Sequence, residues 1–197
     1  MDKCVYLFSF REKKSVGQYE GDRMIRRAFA FSLILLAALS RLLPHAPNVA
    51  PITALALFSG VYLETKYAFT VPLAAMFISD LFLGFYSGME WVYGSFLCIG
   101  FIGLWLRNHR GTGTTLGASV AGSILFFVVT NFGVWVSSQV TYTHTLSGLM
   151  ECYAAGIPFF RNTLIGDLVY VGAMFGSFAL ARRYVPALAG DASVSRR

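Results

Sequence analysis

Two aspartates and an asparagine interrupt stretches that are otherwise apolar. Asp80 lies in "FISDLFLGFY", Asn131 in "TNFGVWVSS" and Asp167 in "RNTLIGDLVY". A charge at the centre of a bilayer costs about 2.5–3.5 kcal/mol on the insertion scale, so such groups face a protein interior or a cavity and find partners there. Two chemistries fit. The first is structural: ion pairs, Arg41 with Asp80 and Arg161 with Asp167, that fix helix packing. The second is a ligand cavity, where a few polar groups orient a small molecule and aromatic side chains hold its body. Trp135 lies one turn from Asn131, and Tyr170 lies one turn from Asp167. Arg41, His45, Asn48, Arg161 and Asn162 are expected at the rim of that cavity.

Other chemistries have less support. Two carboxylates at similar depth are compatible with acid–base work, but no nucleophile elbow, metal motif or GxGD-type signature accompanies them. His45, His109 and His144 are far apart and show no HExxH pattern, so neither a metal nor a cofactor is expected. Cys4, Cys98 and Cys152 have no CxxC spacing, and a disulfide framework is not expected. A GxxxxGK[ST] loop is missing, so the chain does not hydrolyse ATP through one. The reading is that this is not an enzyme.

The elements that must position these residues are membrane helices. Apolar stretches cover about 28–43, 49–63, 67–86, 91–106, 115–138 and 163–181. Spanning a hydrocarbon core of about 30 Å takes roughly 20 mostly apolar residues. "LILLAAL" and "SILFFVV" do not alternate in polarity, which argues against a barrel. The expectation is an all-α bundle of six transmembrane helices, residues 24–185, in one domain. The second and fourth stretches are short and would need flanking residues or a thinned bilayer. Residues 1–23 read as a disordered cytoplasmic tail, or as lying upstream of a start at Met24, and 186–197 as a second cytoplasmic tail.

The net charge of +6 follows the same layout. With six alternating spans, Arg27, Lys66, Arg107, Arg110, Arg182 and Arg183 fall on one side together with the basic residues of both tails. Only Arg41 and Arg161 fall on the other. The positive-inside rule places both termini in the cytoplasm. The partner of this charge is then the lipid bilayer rather than nucleic acid. By the same count Asp80, Asn131 and Asp167 lie roughly 8–10 Å below the outer surface. Asn48 is expected to cap helix 2 and Asn162 or Thr163 helix 6. Trp91 and Tyr93 read as an interfacial belt. The stretch 147–162, broken by Gly148, Gly156 and Pro158, reads as an interfacial helix or a lid. The pairs Ala50/Ala54, Ala56/Gly60, Gly117/Ala121 and Gly172/Gly176 are small residues that allow close helix approach, within the protein or toward a partner.

"RLLPHAPNVAPITALALFSG", "FISDLFLGFY", "TNFGVWVSS" and "CYAAGIPFFRNTLIGDLVY" resemble segments of a family of small, uncharacterised bacterial membrane proteins assigned to transport. That family is similar to the substrate-binding S components of energy-coupling-factor (ECF) vitamin transporters. The resemblance covers about residues 24–183. It implies a six-helix protein of the bacterial inner membrane that binds a small vitamin-like nutrient near its outer face and docks on a T component carrying ATPase subunits. S components dock through small residues of the first helix. Here Ala30, Ala37 and Ala38 are present without an Ala-x-x-x-Ala repeat. The alternative to a capture subunit is a structural or assembly protein with no small-molecule ligand; an intramembrane enzyme is a more distant one.

Overall fold

A computed structural model describes residues 20–22, 24–25, 27–40, 48–137, 141–185 and 188. Among them every regular element is a helix: α1 (27–40), α2 (Ile52–Tyr62), α3 (Thr65–Leu83), α4 (Met89–Leu106), α5 (Thr112–Ser137) and α6 (Leu146–Tyr184). Residues 20–22, within the stretch expected as a tail, are helical. α3, α4, α5 and α6 are each long and apolar enough to cross a membrane. They leave large hydrophobic side chains uncovered, such as Phe82 (75% exposed), Phe101 (63%) and Val169 (62%). Apolar surface on that scale is incompatible with a monomer in water and is the mark of a membrane protein.

α2 is different. It has eleven residues, about 16 Å of helix, and the ten from Ile52 to Val61 are all buried. Its sequence is apolar on every side, the pattern of a helix surrounded by protein. It packs against α3, α4, α5 and α6. Those four contact one another in chain order, and α1 closes the circle, with Phe31 against Tyr67 of α3 and Phe29 against Phe178 of α6. The result is a ring of five helices around a short central one. The sequence suggests that α2 borrows flanking residues to reach both membrane faces; it is instead shielded from lipid by its neighbours.

Small residues make this arrangement possible. A side-chain carbon at Gly60 would lie 2.6 Å from the Gly103 carbonyl carbon, and one at Gly103 would lie 2.7 Å from the Ala56 oxygen. α2 and α4 therefore touch backbone to backbone through Ala56, Gly60 and Gly103. Gly117, Gly172 and Gly176 have no atom within 4 Å of the equivalent position and face outward. Ala30 and Ala37 of α1 are buried against this chain's own core, so they are not free for a docking partner.

A buried helix must still satisfy the carbonyls of its last turn. Arg107, just past α4, donates from Nε to the Gly60 oxygen at 2.8 Å and from Nη2 to the Leu63 oxygen at 2.7 Å. Arg110 donates to the Val61 oxygen at 3.3 Å. Two cations at a helix C-terminus also complement its dipole. Burial, and then the charge of Arg110, push the Arg107 guanidinium below its ordinary value, the electrostatic cost of that position. Arg27 and Lys66 pair with Glu64 at the same end of the molecule, and Arg110 lies over the Tyr62 ring. This is the basic end. Beside it Phe58, Tyr62, Phe175 and Phe178 pack with ring centroids 4.2–5.7 Å apart.

α6 departs most from expectation. It is one helix of 39 residues, about 58 Å, and it runs through Pro158. The stretch 147–162 is thus the N-terminal part of α6 rather than a separate element. Its glycines face inward, with Gly156 against Asn131 and Phe127 of α5 and Gly148 against Thr143, while Pro158 is on the exposed face. The helix is capped by Thr145, whose hydroxyl accepts from the Gly148 N–H at 3.3 Å; Asn162 and Thr163 are interior to it.

Replacing Gly103 with alanine should lower stability by about 1–3 kcal/mol, because the added methyl meets backbone on α2. Gly172→Ala should stay within about 0.5 kcal/mol. Arg107→Ala, which strands two carbonyls, should cost about 2–4 kcal/mol, and lysine should rescue little because it lacks the fork. Thermal unfolding in detergent measures all of these.

Candidate functional site

The other end of α2 is built differently. Pro51 is its N-cap residue, and as proline it makes no side-chain cap hydrogen bond. Asn48, expected to be the cap, instead turns the chain three residues earlier with φ of 63°, a left-handed conformation that asparagine tolerates better than most residues. Residues 48–51 are not helical, although α2 starts only about 15 Å from the basic end. Irregular backbone at such depth occurs where protein buries it or where it lines a cavity.

Here it lines two. One cavity of about 390 Å³ lies between α5 and α6 and is bordered by Asn48, Phe127, Thr130, Asn131, Tyr142, Cys152 and Phe160, among others. The second, of about 290 Å³, is bordered by Asn48, Thr53, Met76, Tyr86, Phe96 and Asp167, among others. Asn48, Val92, Phe126 and Thr163 border both, so the cavities adjoin as two lobes. Both lie away from the aromatic cluster of the basic end.

Asp167 is 2% exposed and borders the smaller lobe. The Ser123 hydroxyl donates to its Oδ2 at 2.6 Å, and the Thr53 hydroxyl is a second partner. Because α6 starts at Leu146, Asp167 sits opposite the middle of α5 rather than five residues below the outer surface. The proposed ion pair with Arg161 does not form. The two residues are six apart, on different faces of one helix, and Arg161 is exposed.

Asp80 is fully buried and accepts the Tyr93 hydroxyl at 2.9 Å on Oδ2. It borders neither lobe, and Tyr93 serves this bond rather than a membrane belt. Trp91 also faces inward, packed on Gly133. Asn131 borders the larger lobe, with its amide donating to the Phe127 oxygen at 2.8 Å. Trp135 points away from both lobes. Its Nε1 donates to the Thr143 oxygen at 2.9 Å and its ring meets His144, which ties the α5–α6 connection to α5. Tyr170 accepts from Ser40 of α1 at 3.1 Å, and Asn162 is half-buried outside the lobes' borders. Arg41 and His45 lie outside the described residues.

Of the ten residues named from sequence, the cavities therefore gather Asn48, Asn131 and Asp167. Thr53, Ser123, Thr130 and Thr163 were missed. Thr163 and Asp167 are four apart and share a helix face, a signal present in the sequence once the helix is known to start before them.

The chain belongs to a family of unknown function, DUF6580, whose model matches residues 22–188. No curated protein and no solved structure matches it.

Tyr93→Phe, which removes a buried donor from Asp80, should lower stability by about 1–3 kcal/mol. Trp135→Phe loses a bond near the surface and should change unfolding little, while protease cleavage between 141 and 145 increases. Unfolding curves and limited proteolysis on the same preparations separate the two.

Proposed function

We propose that this chain is a multi-pass protein of the bacterial inner membrane that captures a small organic nutrient from the outer side, in the manner of an ECF-type S component. The observation that carries the reading is the asymmetry of α2. Its C-terminal end is capped by two arginines and packed with aromatic rings, and its N-terminal end opens on two adjoining cavities. The positive-inside rule turns the basic end toward the cytoplasm and hence the cavities outward. Their volumes, about 390 and 290 Å³, suit a small ligand. Aromatic walls with a few threonines, asparagines and one carboxyl group match the make-up of sites for amphipathic molecules.

Capture alone moves nothing across the membrane, so energy must come from elsewhere, such as a T component with its ATPases. Since Ala30 and Ala37 are buried, docking would use another face. The outward Gly172 and Gly176 are available for it. The same open faces favour the second reading, an assembly protein that binds a membrane partner and no ligand.

The test is a thermal-shift screen of purified protein against vitamins, cobamides and their precursors. A ligand at 100 times its dissociation constant should stabilise the fold by about 2.7 kcal/mol. Well-folded protein that shifts with no compound moves the weight to the assembly reading. Orientation has its own test. Asn48→Cys, with Cys4, Cys98 and Cys152 replaced by serine, should react with an impermeant thiol reagent added outside intact cells, and bound ligand should slow the reaction. Labelling only after the membrane is opened would reverse the topology.

A further inference from the structure

Within the capture reading, on which this inference rests, the lining of the lobes narrows the substrate class. We propose that the ligand is an organic cation, such as a protonated amine, that places its charge on Asp167 and its apolar body in the larger lobe. Among the described residues that border either lobe, Asp167 is the one carboxylate, and no lysine, arginine or histidine is present. The hydrogen-bond partners of Asp167 are the neutral hydroxyls of Ser123 and Thr53, and no described cation forms an ion pair with it. The Ser123 hydroxyl donates to the carboxyl group and Thr53 lies beside it, and neither is a cation. Thr53 is the second residue of α2, whose positive dipole end supplies a further partial charge but not a full one.

A buried carboxyl group with no described counter-charge either keeps its proton or gives it up to a ligand that brings a positive charge. An anionic ligand would meet like charge in a low dielectric and be rejected. The walls agree with this sign. Phe96 and Phe126 border the smaller lobe, and the negative faces of aromatic rings attract organic cations. Phe127 and Phe160 of the larger lobe suit a flat or aliphatic body. Ser123 is then a positioning residue that aims the carboxylate.

Three probes that share a phenethyl body test the sign of the charge: phenethylamine, 2-phenylethanol and 3-phenylpropionate, each titrated against the purified full chain by thermal shift. The amine should bind at least about tenfold more tightly than the alcohol, and the propionate should give no shift. Asp167→Asn should abolish the amine's advantage, and Ser123→Ala should reduce it while leaving the order of the three unchanged. If Asp167→Asn does not yield folded protein, the ranking on the unaltered chain decides. Equal binding of amine and alcohol, or preference for the propionate, overturns the cation assignment. A neutral or anionic nutrient that slows labelling at Asn48→Cys with unchanged affinity in Asp167→Asn overturns it too, and leaves capture standing. A chain that binds none of the three, and nothing in the nutrient screen, loses both readings.

Discussion

The fold depends on how an eleven-residue helix, ten of its residues buried, can lie inside a membrane protein. A spanning helix delivers its unpaired N–H and C=O groups to water or headgroups. α2 cannot, since its length covers about half of the hydrocarbon core. Each end must therefore be met by protein. At the C-terminal end Arg107 and Arg110 bring donors from the α4–α5 turn, which fixes that turn against α2 and draws α4 close. The glycine contact at Gly60 and Gly103 follows, because no side chain can stand between two backbones held at that distance. At the N-terminal end the N-cap residue is Pro51, which makes no side-chain cap bond, and Asn48 before it borders both lobes.

This explains why the polar groups of the interior gather where they do. Thr53, Ser123 and Asp167 meet at the first turn of α2, where the helix's N-terminal amide groups make a polar neighbourhood favourable. Asp80 takes the Tyr93 hydroxyl on one carboxyl oxygen and borders neither lobe. The sequence placed both aspartates in one class. The structure separates them by what borders them: Asp80 faces protein, and Asp167 faces a lobe.

The helices were largely legible in the sequence. α3, α4 and α5 begin and end within about three residues of the apolar stretches, because charged and glycine-rich joints punctuate them. The centrality of α2 was legible in part, since "ITALALFSGV" has no polar face, but length alone suggested a short span instead of a buried core. α6 was misread for a physical reason. Gly148, Gly156 and Pro158 break helices in water, whereas here the glycines admit Thr143 and Asn131 and the proline ring lies on the outer face. That error shifted the register of α6 against α5. It hid the Ser123–Asp167 pair and promoted Arg161, Trp135 and Tyr170 into a site they do not border. Pairings between helices depend on register, and register is not written in the composition of either helix.

The same constraint bears on how a captured molecule would leave. α2 and α4 share backbone contact at Gly60 and Gly103, and Arg107 ties the end of α4 to the end of α2. These two helices form a stiff pair, since separating them would strand buried carbonyls. A path from the lobes to the basic end must pass the cluster of Phe58, Tyr62, Phe175 and Phe178, two of whose rings belong to α2 and two to α6. Opening such a path therefore falls on the seam between α6 and the α2–α4 pair, where contacts are between side chains that can slide. Asp167 lies on that seam, with Ser123 of α5 and Thr53 of α2 on its carboxylate. A movement that shifts α6 would change the carboxyl group that borders the smaller lobe and the closure of the basic end together.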